Sequence, residues 1–145
     1  MVLRFSGILL IITLFGCGKD TFDTKPTITF KQINSSEIGV NSRLEIILEY
    51  TDKEGDLGGG ELQYFRNRLN IKPPPSTGDK ADTVPYPLAE FPDRTRGEIQ
   101  VNISYAFMDE DPNDNDTMKF LLTVRDKMGN FSDTIESPIV VARQQ

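Results

Sequence analysis

The sequence contains no histidine and no tryptophan, and Cys17 is its only cysteine. Without histidine, the chain lacks the commonest general base, the commonest transition-metal ligand and the usual partner of a serine nucleophile. A single cysteine excludes an intramolecular disulfide and any metal site that needs several thiolates. We therefore assign no catalytic residue and expect the protein not to be an enzyme.

Positive charge is also scarce. The 145 residues carry 22 Asp and Glu against 16 Lys and Arg, which gives a formal net charge of −6. Nucleic-acid phosphates require a surplus of Lys and Arg, so no nucleic-acid partner is expected. No window of the sequence shows a sustained helical period bounded by capping residues, which argues against a helical core.

An uncharged, mostly apolar run occupies residues 5–15, after Arg4. This layout is typical of a secretory signal, and the run is shorter than the about 20 residues that span a bilayer. Its end, Leu14-Phe15-Gly16-Cys17, resembles the lipobox of bacterial lipoproteins. The resemblance implies cleavage before Cys17 and lipidation of that residue. The alternative is a plain secretory signal in which the cysteine is incidental.

The lipobox resemblance also implies a location. Residues 1–16 are the expected signal peptide, and residues 17–26 are the lipidated cysteine and a polar tether. Several acyl chains on one residue give stable membrane anchoring. Gly18 in place of Asp resembles the Gram-negative signal for the outer membrane, and Lys19-Asp20 resembles part of a Bacteroidota cell-surface signal. We expect an outer membrane lipoprotein that faces the periplasm or the cell surface.

After Pro26, apolar and polar residues alternate, which is typical of half-buried β-strands. Strands with one polar face bury the other face by packing two sheets together. We predict an all-β fold for residues 27–143: a single antiparallel β-sandwich, Ig-like or fibronectin type III-like, with about seven strands. The predicted strands cover residues 27–33, 42–50, 61–71, 97–105, 117–126 and 131–142.

Alternation also predicts which residues form the core. In the three clearest strands, 42–50, 97–105 and 117–126, every second residue is apolar. These residues are Leu44, Ile46, Leu48, Tyr50, Ile99, Val101, Ile103, Tyr105, Met118, Phe120, Leu122 and Val124. We expect them to point inward.

The stretch 72–96 is rich in proline and separates two predicted strands. Its apolar residues Tyr86, Leu88 and Phe91 are expected to pack back on the sandwich. Long loops with their own apolar anchors are often functional. The alternative is a simple crossover between the sheets, which the topology requires in any case.

Two predicted strands are followed by turns of the same pattern, Asp-Lys-x-Gly-Asp/Asn, at residues 52–56 and 126–130. The first Asp can accept hydrogen bonds from turn amides, and the Gly can adopt the left-handed conformation. The alternative is calcium, which takes six to eight oxygen ligands. Both turns lie at one end of a fibronectin-like sandwich. The possible calcium ligands are Asp52, Glu54, Asp56, Asp126 and Asn130.

A second acidic cluster occupies residues 109–116 and is expected at the opposite end of the sandwich. Its acidic residues are Asp109, Glu110, Asp111, Asp114 and Asp116. Mutual repulsion favours a solvated loop. The alternative is that this cluster holds a calcium ion of its own.

Residues 50–57 and 124–130 resemble the turns of Ig-like domains in Bacteroidota lipoproteins. That resemblance implies fold and location but no activity. The leading hypothesis is a lipid-anchored, non-enzymatic interaction or structural module with an envelope protein or glycan partner. The alternatives are a calcium-stiffened adhesive domain, a carbohydrate-binding accessory domain and a two-carboxylate glycosidase, the least favoured. Candidate sugar-binding aromatics are Tyr64, Phe65, Tyr86 and Phe91.

Overall fold

The computed structural model describes residues 24–75 and 81–144. The predicted signal peptide and Cys17 lie outside the described residues. Within those two ranges no helix is long and apolar enough to cross a membrane. The elements are β1 (Thr27–Ile33), β2 (Glu37–Ile38), β3 (Arg43–Thr51), β4 (Glu61–Arg68), β5 (Thr83–Pro87), β6 (Arg96–Ser104), α1 (Tyr105–Met108), β7 (Asp116–Arg125), β8 (Ile135–Glu136) and β9 (Val140–Ala142).

The strands form two sheets that pack face to face. Sheet A has the order β1-β3-β6, and sheet B has the order β2-β9-β7-β4-β5, with β8 also paired to β7. The predicted all-β sandwich is confirmed. One pairing is parallel, that of β2 with β9. It arises because the chain leaves the edge of sheet A after β1 and crosses to the edge of sheet B.

The inner faces of both sheets form one hydrophobic core. Every residue expected to point inward from the three clearest strands is buried. The antiparallel ladders place these residues side by side, with Ile46 opposite Val101 in sheet A and Tyr64 opposite Leu122 in sheet B. Burying a side chain of this size contributes about 1.5–3 kcal/mol, so the alternating pattern accounts for most of the fold.

The last predicted strand, 131–142, is divided into β8 and β9. Pro138 lies between the two pieces and cannot donate a backbone hydrogen bond to a ladder. The predicted strand 61–71 is also shorter than expected, because β4 ends at Arg68. These differences concern the ends and continuity of strands and leave the two-sheet arrangement unchanged.

The stretch 72–96 is a crossover that also contains a strand, β5, which was not predicted. Leu88 is buried, and Tyr86 and Phe91 pack against the core as expected. The β4–β5 ladder begins and ends with hydrogen bonds from Arg66 N to Asp82 O and from Leu88 N to Gly60 O. The backbone N–H and C=O groups of the even-numbered residues of β5 therefore point toward β4. Pro85 and Pro87 occupy odd-numbered positions, where this ladder needs no N–H.

Candidate functional site

The first acidic turn follows β3 and is held by the buried side chain of Asp52. Its Oδ1 accepts a hydrogen bond from Glu54 N at 3.3 Å, and its Oδ2 accepts one from Leu57 N at 3.0 Å. Gly55 has a φ of 76°, the left-handed conformation that favours glycine. The backbone chemistry predicted for this turn is confirmed.

The second acidic turn follows β7 and repeats the arrangement. Asp126 is buried, and its Oδ1 accepts a hydrogen bond from Asn130 N at 2.8 Å. Its Oδ2 accepts one from the side-chain amide of Asn130 at 2.9 Å. Gly129 has a φ of 91°. Both Asp residues therefore stabilise their own turns whether or not a ligand is present.

The two turns meet at one end of the sandwich, where Lys127 N donates to Asp56 O at 3.4 Å. Glu54, Asp56 and Asp126 each offer a carboxylate oxygen, and these three oxygens lie within 4.8 Å of one another. An open depression of about 570 Å³ adjoins them. It is lined by Thr24, Glu54, Asp56, Met128 and Asn130.

The structure thus brings together three of the five possible calcium ligands. Asp52 lies outside this group, and both of its oxygens accept hydrogen bonds from turn amides. Asn130 lines the same depression, and its side-chain amide nitrogen donates to Asp126, so a fourth of these residues adjoins the group. The positive charge of Lys127 is directed to Glu90, 2.7 Å away.

We call the group of Glu54, Asp56 and Asp126 the acidic end. Asp56 is its least favourably placed carboxylate. Its Oδ1 is buried and has no hydrogen-bond partner among the described residues. Burial raises the pKa of Asp56, and the nearby carboxylates of Asp126 and Asp52 raise it further. A proton relieves this repulsion, and so does a hard cation with several oxygen ligands. The acidic end is therefore chemically suited to bind a cation.

The interpretation of the second acidic cluster, residues 109–116, as a solvated loop is wrong. Glu110, Asp111 and Asp116 are buried, and only residues 112–114 at its centre are exposed. The cluster does lie at the opposite end from the acidic end, because Asp116 begins β7 and Asp126 follows its last residue.

Two arginines of β4 explain the burial of these acids. Arg66 Nη2 lies 2.6 Å from Glu110 Oε1, and Arg68 Nε lies 2.6 Å from Asp116 Oδ1. The other oxygen of Asp116 accepts hydrogen bonds from the backbone amides of Glu110 and Asp111 at 2.6 and 2.8 Å. We call these residues the arginine network. Because their charges are matched, the network is a structural closure of the sandwich rather than a ligand site.

The network is also tied to α1 and to the crossover. The Arg66 guanidinium lies 4.6 Å from the centre of the Phe107 ring and donates to Phe107 O. It also lies 3.1 Å from Asp82, just before β5. A sequence signal was present but was missed: Arg66 continues the core-facing register of Leu62 and Tyr64 on β4.

The candidate sugar-binding aromatics mostly belong to the core. Tyr64 is buried and meets Phe107 edge-on, with ring centres 5.6 Å apart. Phe91 packs on Tyr50 at 5.9 Å, and Tyr86 is half-buried. Phe65, on the outer face of sheet B, is the exception, with 39% of its surface exposed. These four residues do not form a shared platform for a sugar ring.

No protein-family model and no curated protein matches the chain. Among solved structures, it is similar to a cohesin module from a Clostridium perfringens ATCC13124 family 33 glycoside hydrolase. The identity is 17%, the match covers 81% of this chain and 96% of that one, and the TM-score is 0.40. It is also similar to the PmoD soluble domain from Methylocystis sp. ATCC 49242 (Rockwell), with 18% identity, 80% and 89% coverage and a TM-score of 0.31. Similarity at this level assigns neither a partner nor an activity.

The arginine network predicts a large cost for removing one charge and a small cost for removing both. We expect Arg66→Met to lower the free energy of unfolding by about 3–5 kcal/mol, because buried Glu110 loses the guanidinium 2.6 Å away and is left with Arg68, whose Nε lies 3.6 Å away. Adding Glu110→Leu should restore most of that loss. Urea unfolding of the single and double variants measures both effects.

The matched control is Lys119→Met, which removes a cation from the exposed pair with Glu136. That change should cost less than about 1 kcal/mol, since exposed ion pairs contribute little. A double variant as unstable as Arg66→Met alone would contradict the account of the network.

Proposed function

We propose that the protein is a lipid-anchored component of the cell envelope whose Ig-like domain binds another envelope protein without catalysing a reaction. The observation that carries the proposal is an exposed apolar area on the outer face of sheet B. Such areas on otherwise polar surfaces mark interaction sites. The anchoring part rests on the lipobox-like residues that end at Cys17.

The apolar area is built by neighbouring strands. Phe65 on β4 lies opposite Leu121 on β7 and Thr83 on β5, and Gln63 lies opposite Pro85. Alternation along a strand puts these residues on the side that faces away from the core. A small depression of about 230 Å³ adjoins Phe65 and Leu121. We call this surface the β4–β7 face.

The shape of the β4–β7 face favours a protein partner over a glycan. The depression has the scale of one or two side chains, and three threonines border it: Thr83 on β5, Thr123 on β7 and Thr134 just before β8. An apolar side chain inserted beside Phe65 would be largely removed from water, which is how anchor residues contribute to protein interfaces. Sugars stack instead on flat aromatic surfaces, and Phe65 is the only exposed aromatic side chain among the described residues that line this depression.

The buried charges support binding rather than chemistry. Glu110 and Asp116 are matched by arginines, while Asp52 and Asp126 accept hydrogen bonds within their own turns. A catalytic acid or base must instead be available to a substrate. Glu110, Asp116 and Asp52 are engaged in structural contacts instead, and the sequence contains no histidine that could act as a general base.

We expect crosslinking in intact envelopes to capture a partner protein through the β4–β7 face. Phe65→Ser should reduce the captured partner at least tenfold, because it removes the exposed ring from the centre of that face. Met128→Ser is the control: it removes an even more exposed apolar side chain, from the turn after β7. Equal capture by wild type and Phe65→Ser would contradict the proposed face.

The anchor is tested separately by mass spectrometry of the mature N-terminal peptide from membranes. We expect a peptide that begins at Cys17 and carries acyl groups, and Cys17→Ala should abolish both the processing and the lipid mass. A mature chain with an unmodified Cys17 would show that the signal is a plain secretory one. Cys17 is the only cysteine of the chain, so no second cysteine has to be replaced for this experiment.

A second candidate function is calcium binding at the acidic end, which would stiffen the domain as in adhesive modules. Two observations favour it: the convergence of Glu54, Asp56 and Asp126 within 4.8 Å, and the buried Asp56 Oδ1 without a hydrogen-bond partner among the described residues. The three carboxylates, backbone carbonyls and water would together supply the six to eight oxygens that calcium takes.

Calcium should raise the unfolding temperature by several degrees, since a ligand at 100 times its dissociation constant stabilises by about 2.7 kcal/mol. Asp56→Asn should abolish the shift, whereas Asp114→Asn, at an exposed position at the other end, should not. In chelator, Asp56 has a raised pKa, so its contribution to stability is present below the ordinary value of 3.8 and lost as pH rises. Asp56→Asn should therefore be the more stable protein at pH 7. A calcium shift that survives this substitution would contradict the site.

A further inference from the structure

We propose that two copies of this chain associate through β6, paired antiparallel about Gln100, so that the two copies of sheet A form one continuous sheet. The proposal concerns an interface between copies and does not depend on the partner of the β4–β7 face. It begins from the edges of the two sheets, because an edge strand presents unpaired backbone groups to any strand that approaches.

Three of the four sheet edges carry features that discourage such pairing. The β5 edge contains Pro85 and Pro87 at the positions that face away from β4. The β1 edge is interrupted by a bulge between Phe30 and Gln32, where Lys31 projects. The β2 edge is only two residues long. Prolines, bulges, lysines and short strands are the devices that natural sheets use to prevent association.

The β6 edge has none of these features. Its nine residues, Arg96–Ser104, contain no proline and no lysine. Their pairing with β3 runs without a break from Arg43–Ser104 to Thr51–Arg96. Among the described residues no strand covers the other side of β6. Within the part of the chain that the structure describes, this long and regular edge is therefore the place where the sandwich can extend a sheet.

The hydrogen bonds to β3 show which backbone groups are available. Asp52 N donates to Thr95 O, and Tyr105 N donates to Ser42 O. These bonds show that the backbone N–H and C=O groups of the odd-numbered residues of β6 point toward β3. In an antiparallel ladder the alternate residues face the other way. The open edge thus presents the N–H and C=O groups of Arg96, Glu98, Gln100, Asn102 and Ser104.

A second copy of β6 fits this edge in one register over its whole length. When Gln100 opposes its own copy, Glu98 opposes Asn102 and Arg96 opposes Ser104, so no like charges meet. On the core side, Ile99 opposes Val101. A parallel, in-register arrangement would instead place Glu98 beside Glu98 and Arg96 beside Arg96. Charge therefore selects the antiparallel arrangement of two copies.

The acidic residue of β6, Glu98, pairs with a lysine of its own copy. Lys31 Nζ lies 2.5 Å from Glu98 and 3.1 Å from Glu49. The hydrogen bonds that Lys31 donates to Glu98 and Glu49 raise the pKa of Lys31, which favours its charged form. Glu98 therefore already has a cation beside it when it approaches the uncharged Asn102 of another copy.

The pairing has a geometric consequence for the whole protein. Two antiparallel strands in one sheet are related by a twofold axis perpendicular to that sheet. Both copies of sheet B then lie on the same side of the joined sheet, and both β4–β7 faces point the same way. A partner with two binding points would meet two faces at once, which raises its overall affinity without a new contact.

Engineered disulfides in the full-length protein in its native envelope test the proposal. In hydrogen-bonded antiparallel pairs the Cα atoms lie about 5.5 Å apart, which suits a disulfide. Gln100→Cys should give a dimer on a non-reducing gel under mild oxidation. Asn102→Cys alone should not, but co-expressed with Glu98→Cys it should give a mixed dimer. The wild type, whose only cysteine is Cys17, is run beside them.

Sedimentation of the purified protein in detergent provides an independent measurement. Gln100→Lys places two positive charges opposite each other at the twofold axis and should raise the dimer dissociation constant at least tenfold. Thr29→Lys, on an exposed position of β1 in the same sheet, is the matched control and should leave it unchanged. Equal dimer yields from Gln100→Cys and Asn102→Cys would overturn the proposal. So would disulfides only to a different protein, or a wild type that is monomeric at every concentration.

Discussion

The burial of one positive charge organises one end of this sandwich. Arg66 occupies a core-facing position on β4, and a guanidinium removed from water must be matched by acceptors. Glu110 meets this demand, which holds the segment after α1 against the end of β4. Asp82 and Phe107 extend the same contact to β5 and α1. Three segments that are distant in the sequence, namely β4, the start of β5 and α1 with the residues after it, are therefore joined through a single side chain.

The two ends of the sandwich show how the same residue type is used in opposite ways. At the arginine network, the buried carboxylates of Glu110 and Asp116 face Arg66 and Arg68, so their charges are balanced. At the acidic end, Asp126 and Asp52 stand near Asp56, and Lys127 of the second turn pairs with Glu90. Among the described residues, the carboxylates at this end are thus gathered without an arginine partner of the kind that Glu110 and Asp116 have.

Much of this structure could be predicted from local patterns, and the failures have identifiable causes. Alternation predicted the strands and the core because burial on one face demands it. The backbone role of Asp52 and Asp126 followed from turn chemistry alone. The solvated-loop interpretation of residues 109–116 was wrong because repulsion was judged within the segment, while the compensating Arg66 and Arg68 come from β4. β5 was missed because prolines argue against strands except at an edge, and edges are not visible in a sequence. Convergence of Glu54, Asp56 and Asp126 required the topology as well as the turns.

Three surfaces of the domain each leave a different kind of interaction unsatisfied. Phe65 on the β4–β7 face leaves apolar area in water, the β6 edge leaves backbone hydrogen bonds to be completed, and Asp56 at the acidic end leaves a buried carboxylate uncompensated. Each of these three surfaces suits a different kind of partner, and binding at any of them requires no proton transfer. With Thr24 lining the acidic end, a tether of seven residues back to Cys17 would extend at most about 25 Å. Lipidation of Cys17 would therefore hold the acidic end within that distance of the membrane. The twofold axis of paired β6 strands would then have to stand upright on the bilayer for both tethers to reach it.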